Sequence, residues 1–210
     1  MINTELRCKT CRREGKKLFL KGERCSTSKC ALVKRKYPPG MHGPKGYPRL
    51  SDYGRQLRAK QQLRKSYGIS EKQLVNYYTK AKSMKGNTEE IFLSLLEKRL
   101  DNVVFRAGFA NSRKKARQLI GHGNILVNSR RVDIPSYLVK VGDEIKPKPK
   151  KNILQQVEEQ LTQNQGNKNL IPSWVSLDFK KAEIKVLKEV FSEDLPQEFE
   201  IEMIIGYYSR

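Results

Sequence analysis

All four cysteines of the chain lie near its amino terminus, at Cys8, Cys11, Cys25 and Cys30. Their spacing is C-x2-C-x13-C-x4-C. A pair two apart suits a tight knuckle that turns both sulfurs toward one ion. A second pair a dozen or so residues later completes a tetrahedron, the geometry of a structural zinc with no open position for catalysis. Arg7, Lys9, Arg12, Arg13, Arg24 and Lys29 surround the four thiols and would offset a dianionic zinc tetrathiolate. The pattern therefore points to one structural Zn2+. Free thiols, disulfides and an iron–sulfur cluster are the competing uses of the same residues. His42, in the turn PPGMHG, is a candidate fifth ligand that reads better as a contact to RNA or backbone.

A second constellation runs from Asn111 to Val132, NSRKKARQLIGHGNILVNSRRV. Ser112 can cap a helix whose apolar face is Ala116, Leu119 and Ile120. Arg113 and Arg117 stand one turn apart on another face, with Lys114 and Gln118 beside them. Gly121 and Gly123 bracket His122 and end the helix. Asn124–Val127 then reads as a strand, Asn128-Ser129 as a turn, and Arg130 and Arg131 follow it. A packed back with a front of Arg, Lys, Gln, His and Asn suits a phosphate backbone. A cationic trail precedes it: Arg12, Arg13, Lys34, Arg35, Lys36 before Tyr37, then Arg49, Arg55, Arg58, Arg64 and Lys65. Such residues make salt-dependent phosphate contacts, although any one of them could be an ordinary solvated charge. Tyr53, Tyr67, Tyr77, Tyr78 and Trp174 could stack on bases, but at these spacings they read first as core.

Charge supports a polyanionic partner. The 210 residues carry 43 Lys and Arg against 22 Asp and Glu, net +21. Residues 1–50 are net +11, 51–96 net +5, 97–151 net +9, and 152–210 net −4. Nucleic acid is the usual partner of such a surplus. The acidic last quarter faces away or meets basic protein. No stretch has the apolar length of a membrane span or of a secretory signal core, which points to a cytosolic, reducing setting. Catalysis has little to stand on. The two histidines lie in glycine-flanked turns, Gly121-His122-Gly123 does not extend to a dinucleotide fingerprint, and no phosphate-binding loop of the Walker type is present. The pairs Glu89-Glu90 and Glu158-Glu159 read as capping or solvated charges.

The elements that position these groups read as follows. Residues 1–50 are turn-rich, with a short strand around Lys17–Leu20, and need a staple to hold a shape. Ser51 caps a helix to about Tyr67, Ser70 caps Glu71–Lys82, and Thr88 opens an apolar helix through Leu100, followed by another over Leu100–Ala107. Short strands and turns follow Pro135, then a linker KPKPKKN over 146–152 and a helix over Ile153–Leu161. Residues 162–169 read as a polar loop, Pro172–Trp174 as extended, Asp178–Phe191 as helix and Phe199–Met203 as strand. The fold class is α+β: a mostly helical body with an inserted small α/β RNA-binding module and a zinc-stapled, irregular amino-terminal arm. The arm is 1–50, the body 51–96 and 152–210 with a carboxyl-terminal strand, and the module 97–151.

Two stretches resemble a known family. CKTCRREGKKLFLKGERCSTSKC with KRKYPPGMHG is similar to the amino-terminal region of the zinc-bearing form of bacterial small-subunit ribosomal protein S4. LEKRLDNVVFRAGFANSRKKARQLIGHGNILVNSRRVDIPSYLVKVGDEI resembles the RNA-binding module named after that protein, and PSWVSLD with the final YYSR fits its carboxyl end. The resemblance implies a structural constituent of the small subunit. Such a protein binds the five-prime domain of small-subunit rRNA, nucleates its assembly, touches neighbouring small-subunit proteins and bears on translational accuracy; some members repress their own messenger RNA. By position, Cys8, Cys11, Cys25 and Cys30 would be the zinc ligands. Ser112, Arg113, Arg117, Gln118, His122, Asn128, Arg130 and Arg131 would centre the RNA face. Two departures stand out: Ser129 occupies a turn position where the family often has Gly, and Phe179–Pro196 diverges. The runner-up function is an RNA-modifying enzyme, such as a pseudouridine synthase, carrying the same module; a zinc-dependent DNA-binding regulator is a third.

Overall fold

The computed structural model describes residues 7–164, 171–179 and 181–209. The chain forms two compact units. One comprises the chain up to Glu89 together with the segment from Pro196 onward; the other is Glu90–Leu195. Residues 152–195, grouped with the body on sequence grounds, thus fall in the unit that contains the α/β module.

The first unit contains α1 (Arg7–Glu14), α2 (Ala31–Lys34), α3 (Asp52–Tyr67) and α4 (Glu71–Ser83), and its last element is α9 (Ile201–Tyr208). The arm is less irregular than its turn residues suggest. Cys8 and Cys11 lie on α1 instead of in a knuckle, since three residues bring side chains back to one face of a helix. No strand forms at Lys17–Leu20. Ser51 caps α3 by accepting from the Gly54 amide at 3.2 Å, and Gly68 ends it in a left-handed conformation at φ +64°. Ser70 and Gln73 close a capping box on α4. Leu63, Tyr67, Leu74, Tyr78, Ala81 and Ile204 are buried.

The strand expected at Phe199–Met203 is instead the start of α9. Ile201, Ile204, Ile205 and Tyr208 recur at helical spacing, and burial of Ile201 and Ile204 selects that period over the alternation of FEIEM. Lys60 is almost wholly buried. Its ammonium lies 2.7 Å from Glu71 Oε1 and 4.2 Å from the centre of the Tyr207 ring. Tyr208 donates to the same Glu71 oxygen at 3.0 Å and stacks on Tyr78, ring centres 5.0 Å apart. Burial raises the Glu71 carboxyl, but the bonds from Lys60 and Tyr208 outweigh it and hold the carboxyl below its ordinary range.

The second unit begins within α5 (Thr88–Glu97), whose first turn is bonded by Asn87, Oδ1 accepting from the Glu89 amide at 3.0 Å. Next come α6 (Leu100–Arg106), α7 (Arg113–Gly121), β1 (Ile125–Val127), β2 (Arg130–Arg131), β3 (Glu144–Pro147), α8 (Lys151–Asn164), β4 (Val175–Asp178) and β5 (Glu183–Val186). The five strands form one antiparallel sheet in the order β2-β1-β3-β5-β4. Its core joins Leu100, Val103 and Val104 of α6 to Ala116, Leu119 and Ile120 of α7, Ile125 and Ile145 of the sheet, Val157 and Leu161 of α8, and Trp174 and Ile184.

In place of the helix expected over Asp178–Phe191, the chain leaves β4 at Asp178, forms β5 over Glu183–Val186 and runs on without helix to Phe191. Glu, Lys, Leu and Ala favour a helix there, but Ile184 and Val186 alternate with Lys185 and sit on the core, where β-branched side chains pack well. Pro172–Trp174 forms a turn closed by the Val175 amide on the Pro172 carbonyl at 3.1 Å. Of the polar loop expected at 162–169, residues 162–164 continue α8 and the rest lie outside the described residues.

β3 and β5 are tied across their outer face as well as through the ladder. Lys185 Nζ lies 2.8 Å from Glu144 Oε1, and Lys146 Nζ lies 3.3 Å from Glu144 Oε2 and 3.3 Å from Glu183 Oε2. Hydrogen bonds from Lys185 and Lys146 pull the Glu144 carboxyl from 4.5 down to about 2. An acid with a depressed folded pKa stabilises the fold above its unfolded value and gives that up as pH falls through the folded one. The Glu144 link should therefore persist in mild acid and fade between pH 4.5 and about 2. A carboxyl NMR titration checks this; a midpoint near the ordinary 4.5 would contradict it.

Candidate nucleic-acid interface

α7 folds as its sequence dictates. The Ser112 hydroxyl accepts from the Lys115 amide at 3.4 Å, and Ala116, Leu119 and Ile120 are buried. Ser112 itself is buried, so its part is to start the helix. Lys114, Gln118 and His122 are exposed along the helix and at its end.

Arg113 and Arg117 are only half exposed and bind inward. Arg113 Nε donates to Asn102 Oδ1 at 2.9 Å, and its guanidinium lies over the Phe105 ring, 4.7 Å from the centre. Arg117 Nε donates to Asp101 Oδ2 at 3.1 Å. Behind them lies a buried polar layer. Asp101 also takes both Nε and Nη2 of Arg99, at 3.0 and 2.8 Å, while Asn102 Nδ2 and Arg106 Nη2 donate to the two carboxyl oxygens of Glu97 at 2.8 and 3.0 Å. Side-chain exposure is 2% for Arg99 and Asp101 and 1% for Glu97, so these ions are held by partners and not by water.

The hairpin after α7 is a two-residue turn with positive φ at both central residues, 49° at Asn128 and 64° at Ser129, the geometry of a type I′ turn. Asn128 is fastened on three sides. Its amide donates to the Glu144 carbonyl at 2.8 Å, its Oδ1 accepts from the Glu144 amide at 2.9 Å, and its Nδ2 donates to Asp143 Oδ1 at 2.8 Å. Arg130 and Arg131 are exposed. The Arg131 guanidinium lies against Gly123, where a Cβ would collide with it and where φ is +66°. The Lys148 amide donates to the Asn124 carbonyl at 2.8 Å, which brings the start of the 146–152 linker beside the end of α7. Lys148 is thus brought beside the predicted set, which only the β1–β3 register could have revealed.

In the first unit the predicted residues divide. Lys34, Arg35, Lys36, His42, Arg49 and Arg13 are exposed. Arg55 is exposed and paired with Asp52. Arg12 spends its guanidinium on the arm, donating to the carbonyls of Tyr37 and Pro38 at 3.0 and 3.1 Å and covering the Tyr37 ring. Tyr37 is correspondingly half buried. Arg58 Nη1 donates to Glu14 Oε1 at 3.2 Å.

The four cysteines line a single cavity of about 20 Å³, room for one small guest, together with Leu20, Ala31 and Leu32. The Lys21 amide points at Cys25 Sγ from 3.4 Å. Burial pushes the Cys11 thiol up, and the three neighbouring thiols add to it against a backbone bond from Leu18. Among the described residues no three His, Cys, Asp or Glu side chains stand in an arrangement that holds a metal ion. The donor chemistry still suits a soft metal: four cysteines line one small cavity, with Arg7, Lys21 and Arg24 beside them to offset thiolate charge.

Residues 3–97 match the Ribosomal protein S4/S9 N-terminal domain, and residues 98–145 match the S4 domain. The chain is 50% identical over 203 residues to small ribosomal subunit protein uS4 of Thermus thermophilus, covering 97% of this chain and 96% of that one. It is 48% identical over 204 residues to uS4 of Halothermothrix orenii and 46% over 203 residues to uS4 of Clostridioides difficile, with the same coverage. The chain belongs to the uS4 ribosomal protein family. The S4-domain match spans α6, α7, β1 and β2 and ends in β3, so the family model stops before α8, β4 and β5, which complete this unit's core and sheet.

Ser129 is the local weak point of that S4 domain. A serine held at positive φ is strained by roughly 1 kcal/mol relative to glycine. Ser129→Gly is therefore expected to raise stability by about that amount while leaving Arg130 and Arg131 in place. Denaturant unfolding checks it; an unchanged or lower midpoint would show that the serine is not strained.

Proposed function

We propose that this chain is a structural, rRNA-binding constituent of the small ribosomal subunit, working by binding and not by catalysis. The observation that carries the reading is the row Lys114, Gln118, His122, Arg130 and Arg131, exposed on α7 and the hairpin. The buried Asp101–Arg117 and Asn102–Arg113 bonds support that row from behind. The backbone that carries these cations is fixed before the RNA arrives, so binding orders their side chains alone. Each phosphate they neutralise releases counterions, so binding weakens with salt. Because A-form major grooves are hard to enter, the contacts are to backbone and shape more than to base edges.

The finer role follows from the same chemistry. A rigid cationic unit that holds converging rRNA helices in one arrangement nucleates folding of the five-prime domain. Contacts with neighbouring small-subunit proteins would transmit that arrangement to decoding, and the same face would accept a structured segment of the protein's own messenger. The relatives' names carry only the subunit assignment, so assembly, accuracy and self-repression are part of the proposal.

The test uses the five-prime domain of small-subunit rRNA in a salt titration. Replacing Lys114, Arg130 and Arg131 together with Ala should leave the fold intact, because all three are exposed. The slope of log K against log salt should fall by roughly 2–3. An unchanged slope would move the interface elsewhere. Arg113 and Arg117 are poor probes, since their removal would also strip Asn102 and Asp101 of partners.

We also propose that Cys8, Cys11, Cys25 and Cys30 hold one structural Zn2+. The ion would supply a cross-link between α1 and the segment leading to α2, in an arm with few buried side chains besides Leu18 and the cysteines. Metal analysis should find one zinc per chain, and chelation should make the arm protease-sensitive while the S4 domain stays folded. Absence of zinc with four titratable thiols would refute the assignment.

A further inference from the structure

The loop between α1 and α2 turns outward at one residue. Leu18 is buried, and its amide bonds the Cys11 sulfur. A little further on, the Leu20 carbonyl accepts from Arg7 Nη1 at 3.4 Å, and the Lys21 amide donates to Cys25 Sγ at 3.4 Å. Phe19 stands between these fastenings. Its φ is +48°, and it remains 45% exposed. A bulky L residue is strained in the left-handed region, where glycine or asparagine sits at less cost. Here the strain is not repaid by burial of the ring, and strain kept on those terms points to a use for the side chain.

The surroundings are cationic. Lys17 and Lys21 stand exposed two residues to either side, and Arg24 is exposed beyond them, in a segment of net +11 over residues 1–50. Tyr47 and Tyr53, also exposed, are otherwise engaged. Tyr47 donates its hydroxyl to the Arg12 carbonyl at 2.6 Å, and the Tyr53 ring centre lies 5.8 Å from that of Tyr207. An unpaired nucleotide meets both features at Phe19: its base offers a π face to the ring, and its phosphates meet the lysines. A continuous duplex offers no such face, because its bases are stacked on one another. A protein partner would need an apolar pocket rimmed by acids to do the same.

We propose that Phe19 is a stacking platform for one unpaired RNA base, with Lys17 and Lys21 on the flanking phosphates. The proposal rests on the RNA-binding reading and adds to it a contact that salt does not screen. It also gives the cysteine cluster a second role, since the amides bonded to Cys11 and Cys25 are those that hold the ring outward.

The test measures two things on the full-length chain. One is affinity for five-prime-domain rRNA across a salt series. The other is quenching of a single-stranded RNA that carries a fluorescent purine analogue whose emission falls on stacking. Phe19→Ala should weaken rRNA binding about tenfold at every salt concentration and leave the slope of log K against log salt unchanged, because the lost contact is uncharged. Phe19→Trp should keep both affinity and quenching. Phe19→Leu should lose both, since it has bulk without a π face. Phe19→Gly relieves the strained backbone, so its denaturant midpoint should hold or rise while its affinity falls. A midpoint that falls in step with affinity would make Phe19 a packing group and overturn the proposal. Unchanged rRNA binding and quenching by Phe19→Ala would overturn it as well, and leave the exposed ring to a protein contact. Wild-type rRNA binding without quenching would sink the platform alone. Quenching without rRNA binding would sink the ribosomal reading and keep the platform.

Discussion

The second unit depends on a buried ionic layer between α6 and α7. Glu97 and Asp101 are nearly inaccessible, and each carboxylate is matched by more than one donor: Asn102 and Arg106 on Glu97, Arg99 and Arg117 on Asp101. Taking such ions out of water is expensive, and only several good hydrogen bonds per carboxylate offset it. The layer therefore works as a register lock. α7 is seated where Arg117 reaches Asp101 and Arg113 reaches Asn102 together, and sliding it by one residue would strand charges at a cost of about 3–5 kcal/mol for each broken pair. An apolar face of Ala116, Leu119 and Ile120 alone would tolerate more than one seating. The exposed cations of α7 inherit that precision.

The first unit uses the same device to close its chain ends. Lys60 is buried under the Tyr207 and Tyr208 rings and bonded to Glu71, which also receives the Tyr208 hydroxyl. One lysine thus joins α3, α4 and the returning α9. Tyr67 and Tyr78 are buried packing groups, as their spacing suggested, with Tyr67 near Phe199; Tyr53 touches Tyr207 but stays 48% exposed, and the carboxyl-terminal helix is fastened by chemistry as well as by area.

Much of this was legible in the residues, and the failures have physical causes. Helices α3, α4, α6 and α7 were readable because caps and a 3.6-residue apolar period agree on them, as at Ser51, Gly68, Ser70 and Ser112. The turn at Asn128-Ser129 was readable from its residues, but its type was not, because serine is ill suited to the positive φ that the I′ geometry requires. The β5 strand was not readable, because KKAEIKVLKEVF is rich in helix formers and its strand state comes from pairing on both edges, with β4 just before it and with β3 nearly forty residues earlier in the chain. The buried layer was equally hidden. In LEKRLDNVV the charges look like a solvated face, and nothing local distinguishes Glu97 and Asp101 from surface acids until α7 packs against α6.

That hidden layer changes what the net charge of +21 means. A basic composition suggests that every Lys and Arg is available to a polyanion. Here Arg12 is bonded to the arm's own carbonyls, Arg58 to Glu14, Lys60 to Glu71, Arg99 and Arg117 to Asp101, Arg106 to Glu97 and Arg113 to Asn102. These cations hold the scaffold, so part of their donor capacity is already spent on the protein itself. The charge that responds to salt is the remainder that stands in water, such as Lys34, Arg35, Lys36, Lys114, Arg130 and Arg131. The slope of RNA affinity against salt therefore reports this exposed remainder, each member contributing somewhat less than one released counterion per phosphate. Internal ion pairs give such an interface its rigidity, and exposed cations give it its affinity.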